Sequence, residues 1–540
     1  MTSSCFRILL SITAFPIGIL HAEEPVDFAR EVLPILSNKC FTCHGPDTKK
    51  AKDLRLDSYA AAIKDRKGIR AVDPDDLEGS ELIFRIHDED DPMPPEDDGK
   101  PLTNSEKKVL SRWVKEGGKY ASHWSFVPPR KEKDAPKSEV LDFYISAGHK
   151  AHTPPVTLAP RADRATLARR AALVLTGLPP EPEVFEKYLA DKNPGAYGDF
   201  VATLLESSYF GEHQARYWLD AIRYGDTHGL HLDNRRGIFP FRDWVVRAFN
   251  DNLPLDDFIT WQLAGDLLPN STITQKIATG FVRMNPTTAE GGAIAAEFQA
   301  KNNFDRTETL GTVMLGMTLT CARCHTHKYD PITHDEYFSL LAFFNSTAES
   351  PLDGNKYDHG PAMKAPANPG EWKLLDAFEK KIEGATDPQK SFTTTTLVAS
   401  ELPKPRVTKV LQRGEYHSPF GDPLQPDVPA VMGSFPDDAP RNRLGLAQWL
   451  TSSDHPLVAR VLINRMWQRV FGYGLVRTPE DFGLQGEQPT HPELLDWLAV
   501  ELQEKNWDLK HVLQLMVMSR TFQQSSKRRA DLDDPETRLF

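Results

Sequence analysis

Almost no cysteine is available for cross-links in this 540-residue chain. Of five cysteines, Cys5 lies near the start, and Cys40, Cys43, Cys321 and Cys324 are all used in two Cys-x-x-Cys-His strings. A disulfide framework of the kind that staples small secreted domains is thereby excluded. Clustered positive charge is also lacking. The chain has 64 Lys and Arg against 76 Asp and Glu, a formal net charge of −12, and no basic block that would follow a phosphate backbone. Nucleic acid is not an expected partner. No run after Leu20 approaches the roughly 20 apolar residues of a membrane-spanning helix, so no integral membrane segment is expected in the mature chain. Glycine is scarcer than proline, 33 against 42, which points to stiff connections rather than disorder.

What is present suits a soluble protein of several cores. Apolar residues make up 40% and aromatics 9%, and the length corresponds to three to four domains at roughly 150 residues each. The first 22 residues read as an export signal, with Arg7 as the positive start, Ile8 to Leu20 as the apolar stretch and Ala22 at the cut. A retained anchor is the competing reading, because Leu20 is bulky for the −3 position. A stretch this short, interrupted by Pro16, cannot cross a bilayer. A periplasmic or otherwise exported protein, cleaved near Ala22, is expected.

An exported chain without disulfides uses its cysteines for something else. Two thiols three residues apart on a helical turn can both add to the vinyl groups on one edge of a haem, and the histidine that follows becomes the proximal iron ligand. The alternatives are a thioredoxin-like pair, which wants a βαβ context, and half a zinc site, which wants two more soft ligands. Haem c is the expected cofactor, with Cys40, Cys43 and His44 as one site and Cys321, Cys324 and His325 as a second. Around the first, Phe28, Val32, Ile35 and Leu36 share a helical face leading into Cys40. Asp91-Pro-Met93-Pro-Pro95 follows, and then a helix opened by a Thr103-x-x-Glu106 capping box, carrying Val109, Leu110, Trp113 and Val114 and ended by Gly117-Gly118. Haem helix, methionine loop and closing helix are the parts of a small cytochrome c, in order. Met93 is the expected distal ligand and His87 the reserve.

Before the second string, Arg306–Thr320 reads as a helix with Leu310, Val313, Met314 and Met317 spaced for burial. After it, Thr326-His-Lys-Tyr-Asp-Pro331 is dense in hydrogen-bonding groups. His327, Lys328, Tyr329 and Asp330 are therefore candidate catalytic residues beside a haem, while the competing reading has His327 and Asp330 only holding the loop. His228 and His231 are candidate distal ligands, and an open sixth position is the other possibility. A non-haem metal at this second site also stays open.

These strings resemble planctomycete cytochrome proteins. Residues 25–120 resemble the planctomycete cytochrome c domain through Lys39-Cys-Phe-Thr-Cys-His-Gly45, Leu54-Arg-Leu-Asp57 and Met93-Pro-Pro95. Residues 160–346 are similar to the second planctomycete cytochrome domain, through Leu175-Thr-Gly-Leu-Pro-Pro180, Gln262-Leu-Ala-Gly-Asp266 and Cys321 to Pro331. Residues 431–530 are similar to the associated C-terminal domain, through Pro440-Arg-Asn-Arg-Leu444, Thr478-Pro-Glu-Asp-Phe-Gly483 and Thr490 to Trp497. The resemblance implies an exported c-type haem protein with an electron-transfer or oxidoreductase role and no defined substrate. An electron-transfer partner protein is expected, a small-molecule substrate is open, and the alternative is a non-catalytic electron-relay or protein-interaction module. The family's last domain usually continues beyond a string like Asp534 to Phe540, so a fragment or an incomplete last domain is expected.

The expected fold class is mainly α. The expected order is a signal (1–22), a cytochrome c-like domain (23–122), a linker (123–160) and a second cytochrome-type helical domain (161–349). An irregular connector with short β pieces (350–430), including a Thr393–Val398 run, and a C-terminal helical domain (431–540) complete it. Asp220, Arg223, Asp226, Arg441, Arg443, Asn464, Arg465 and Asp481 read as ion pairs and caps that fix helix packing, since no nucleophile–base pattern accompanies them.

Overall fold

Helix accounts for 51% of the described residues and strand for 6%, so the class is mainly α. The computed structural model describes residues 26–45, 54–73, 75–95, 101–120, 123–132, 136, 139–151, 155–230, 233–288, 290–352, 360–527 and 529. The export signal, His231 and the Asp534–Phe540 string lie outside them. The chain divides into two compact units, Met1–Ala121 and Ser122–Phe540.

In the first unit, a short π-helical turn Phe28–Val32 runs into helices Leu33–Lys39 and Phe41–His44. Phe28, Val32, Ile35 and Leu36 face inward, as their spacing predicts, and meet Leu110, Trp113 and Val114 of helix Asn104–Lys115. That helix opens with the expected capping box, in which the Thr103 hydroxyl accepts from the Glu106 amide and the Glu106 carboxylate accepts from the Thr103 amide. It ends before Gly117 and Gly118, whose positive φ angles of 108° and 58° turn the chain away.

The second unit is one continuous helical core. Helices Arg164–Thr176, Ala196–Leu205, Ser208–Ala221, Phe239–Asn250 and Leu255–Ala264 pack with Arg443–Leu450, Val458–Phe471, Pro492–Glu504 and Leu509–Met518. The region expected as a connector carries two two-stranded antiparallel sheets, Ala362–Ala365 with Thr394–Leu397 and Thr408–Leu411 with Pro419–Leu424. It also holds a helix, Pro369–Glu379, that its proline and glycine content obscured.

Two expectations need correction. The stretch read as a linker contains helix Val140–Ala151, whose Val140, Leu141, Tyr144 and Ile145 join the core together with Phe126. A buried carboxylate fastens it: Asp142 accepts from the Arg520 and Thr521 amides and the Thr521 hydroxyl at 2.7–2.9 Å. Those partners lie nearly four hundred residues away, so local periodicity carried little sign of them. The helix before the second cysteine pair also does not reach it. Ala295–Leu310 passes into a π turn, Gly311–Leu315, and stops at Gly316, which takes φ 58°. A Cβ at Gly316 would stand 2.8 Å from Val461 and 2.9 Å from Phe482, so the chain turns where only glycine fits. Leu310, Val313, Met314 and Met317 are nonetheless buried.

Candidate haem attachment sites

Cys40 sits where the two helical segments of the first unit join. Its amide donates to the Leu36 carbonyl at 2.8 Å, and its own carbonyl accepts from Cys43 and His44 at 3.1 and 2.8 Å. One turn therefore carries both thiols and the imidazole. Cys40 packs against the core, and burial, reinforced by Cys43, pushes its thiol up to about 12.

His44 is oriented by the segment that follows. Its Nδ1 lies 3.0 Å from the Leu54 carbonyl, so Nδ1 carries the proton and Nε2 is left as the acceptor nitrogen. The Leu56 amide donates back to the His44 carbonyl at 2.9 Å, and the Tyr120 hydroxyl donates to the Leu56 carbonyl at 2.8 Å. An imidazole with Nδ1 tied to a backbone carbonyl has the arrangement of a metal-ligating histidine. The donor set fits haem c: Cys40 and Cys43 for two thioether bonds, His44 Nε2 for iron.

Met93 is half-buried, with its amide donating to the Arg85 carbonyl at 2.9 Å. The Arg85–Asp91 ion pair at 2.7 Å braces the same loop. Met93 and His87 line one open cleft together with Ile83, Leu102 and Ser111. His87 is exposed, and its Nε2 lies 3.1 Å from the Ser111 hydroxyl.

The second string is presented differently. Leu319–Arg323 is a 3₁₀ turn, Cys321 and His325 are exposed, and Cys324 is half-buried with its thiol 3.4 Å from the Arg413 carbonyl. His325 again has Nδ1 on a backbone carbonyl, that of Thr326, at 2.7 Å. The donor types fit a haem held at the surface. Among the described residues, no group of three or more His, Cys, Asp or Glu side chains is arranged to hold a metal ion.

The four candidate catalytic residues do not form one accessible group. His327 and Asp330 are buried, Lys328 is exposed and Tyr329 is half-buried under the Lys328 ammonium, 5.0 Å from its ring centre. His327 Nδ1 accepts from the Asp330 amide at 2.9 Å, and its own amide donates to the Ile332 carbonyl at 2.8 Å. The Asp330 carboxylate accepts from the Leu484 amide at 2.8 Å and lies 3.4 Å from His327 Nδ1. Burial holds His327 down to about 4 and pushes Asp330 up to about 7. The pair clasps the loop after the cysteines to the Phe482–Leu484 turn. His228 is buried elsewhere in this unit, with Nδ1 2.6 Å from the Thr287 hydroxyl.

Sequence reading missed a neighbouring network. The Tyr337 hydroxyl donates to Glu308 at 3.0 Å, Arg323 approaches the same carboxylate at 3.4 Å, and His334 Nε2 lies 3.0 Å from the Arg323 carbonyl. Burial raises the Glu308 carboxyl and Arg323 lowers it. Three separate elements supply these residues, so no local spacing announced them.

This donor geometry suits a c-type haem protein, and one of the family matches suggests the same class. Residues 40–97 match the family model Planctomycete cytochrome C. Residues 141–349 match the model PSCyt2, described as Protein of unknown function (DUF1549), and residues 442–540 match PSD1, Protein of unknown function (DUF1553). The chain thus carries the three planctomycete-type matches its motifs suggest, in the same order. No curated protein and no solved structure matches it.

Proposed function

We propose that the protein is an exported electron-transfer cytochrome holding two covalent haems, one at Cys40–His44 and one at Cys321–His325, and exchanging electrons with a partner protein. The observation that carries this reading is the His44 Nδ1 bond to the Leu54 carbonyl, which fixes the tautomer a proximal ligand needs. A haem bound there supplies a one-electron couple. The chain's own residues would set its surroundings: Cys40 and Cys43 would hold one edge, His44 would present Nε2 to the iron, and Met93 would offer its sulfur as a further ligand. The exposure of Cys321 and His325 suits exchange with a partner at the surface.

A second reading, a haem-dependent oxidoreductase with its reactive centre at Cys321–Asp330, rests on that same exposure. The relay is favoured because His327 and Asp330, its acid–base candidates, are already engaged in the loop clasp. Two measurements test the proposal. Met93→Ala should abolish the near-infrared sulfur-to-iron charge-transfer band while covalent haem is retained; an unchanged band moves the distal role to His87. Cyanide added to the oxidised protein should leave both haem spectra unchanged, and a shifted second haem favours the oxidoreductase.

A further inference from the structure

The hairpin of strands Thr408–Leu411 and Pro419–Leu424 packs against the second cysteine string. Its base is tied to helix His334–Asn345. The Asn345 side-chain amide donates to the Thr408 hydroxyl at 2.9 Å, and the Asp427 amide donates to the Ser339 carbonyl at 3.2 Å. That helix itself starts at the string, with His334 Nε2 3.0 Å from the Arg323 carbonyl. The loop between the strands is tightly closed. The Gln412 amide donates to the Ser418 carbonyl and the Ser418 amide to the Glu415 carbonyl, both at 2.9 Å. Arg413 and Gly414 turn the loop with φ of 53° and 72°. This turn touches the string directly. The Cys324 thiol lies 3.4 Å from the Arg413 carbonyl, and a Cβ on Gly414 would meet the Arg323 side chain at 3.1 Å. A haem bonded through Cys324 would therefore lie beside residues 412–418.

This loop carries His417. Among the described histidines of the second unit, only His417 joins His325 in being exposed. Its side chain is 63% open to solvent, and among the described residues neither ring nitrogen makes a hydrogen bond. The other histidines near the string are engaged, His327 in the loop clasp and His334 on the Arg323 carbonyl. The Glu415 carboxylate stands 3.9 Å from His417 Nδ1, beside the nitrogen through which a carboxylate orients an imidazole that ligates by Nε2. Phe420, on the strand that follows, is 47% exposed and lies 6.2 Å from the His334 ring. A nitrogen donor and an uncovered aromatic ring on one hairpin supply what the far face of a haem takes, an axial ligand and apolar cover.

We propose that His417 is the distal axial ligand of the haem at Cys321–His325. This rests on the two-haem reading and names the sixth ligand that a relay requires at its second haem. The test uses full-length holo-protein with its His417→Ala and His417→Met variants, each checked by intact mass for two covalent haems. Electron paramagnetic resonance of the oxidised wild type should show both haems low-spin. His417→Ala should turn one haem per chain high-spin and let it bind one cyanide, with covalent haem retained. His417→Met should stay low-spin and strengthen the sulfur-to-iron charge-transfer band. Two low-spin haems that persist in His417→Ala overturn the proposal and leave the relay reading intact. A wild type whose second haem is high-spin or binds cyanide overturns the proposal together with the six-coordinate relay. A wild type carrying one covalent haem overturns it together with the two-haem reading.

Discussion

At the scale of single residues, the loop after the second cysteine pair shows how burial redirects side chains that a motif makes look catalytic. His327 and Asp330 titrate in opposite senses because the same desolvation disfavours the imidazolium of one and the carboxylate of the other. Asp330, raised to about 7, binds its proton in the folded state while an unfolded aspartate with pKa about 3.9 has lost it. Its contribution therefore makes stability fall as pH rises from about 4 to about 7. His327, lowered to about 4, takes up a proton on unfolding below about 6.5, so its contribution makes stability rise with pH from about 4 to about 6.5. The two oppose each other across most of one window. Asp330→Asn removes only the first, so its unfolding free energy, measured by urea denaturation, should climb more steeply with pH than that of the wild type between about pH 4 and about pH 7. Parallel curves for the two proteins would show that Asp330 is ionised throughout.

At the scale of elements, the parts legible from sequence are those whose cause is local. Helix Val458–Phe471 has the ends its periodicity predicts, and the Thr103–Glu106 box starts its helix because both capping partners lie within one turn. Both cysteine strings were legible for the same reason, since their chemistry is written in five consecutive residues. What stayed hidden depends on distant partners. Helix Val140–Ala151 is held by residues 520 and 521, and the Glu308–Tyr337–Arg323 network is assembled only by the fold. The turn at Gly316 belongs to this second kind, because its necessity comes from Val461 and Phe482. Gly316→Ala combines an unfavourable positive φ with contacts shorter than 3.0 Å, and should cost about 1–3 kcal/mol in urea denaturation. A loss below a few tenths would mean that the turn before Cys321 relaxes freely. Because this turn also receives the Phe482 amide on its carbonyl at 2.7 Å, protease sensitivity in the Gly316–Asp330 segment should rise in the same variant.

At the scale of the whole molecule, two units with different architectures each carry a Cys-x-x-Cys-His string. They present it in different ways, half-buried on a helical turn in the first and largely exposed on a 3₁₀ turn in the second. The histidines nevertheless share one device, an Nδ1 bonded to a backbone carbonyl, from Leu54 in one and Thr326 in the other. That common feature is the reason to propose the second string, like the first, as an attachment site. Helix-packing arginines such as Arg443, fully buried between Asp266 and Glu401, tie distant segments of the second unit together. The account stands or falls on covalent attachment. The decisive measurement is the intact mass of protein produced with a cytochrome maturation system, compared with Cys40→Ala/Cys43→Ala and Cys321→Ala/Cys324→Ala variants. The account predicts a gain of two haems in the wild type and one in each variant. A gain of one haem that the Cys321→Ala/Cys324→Ala variant retains, or no gain at all, would contradict it.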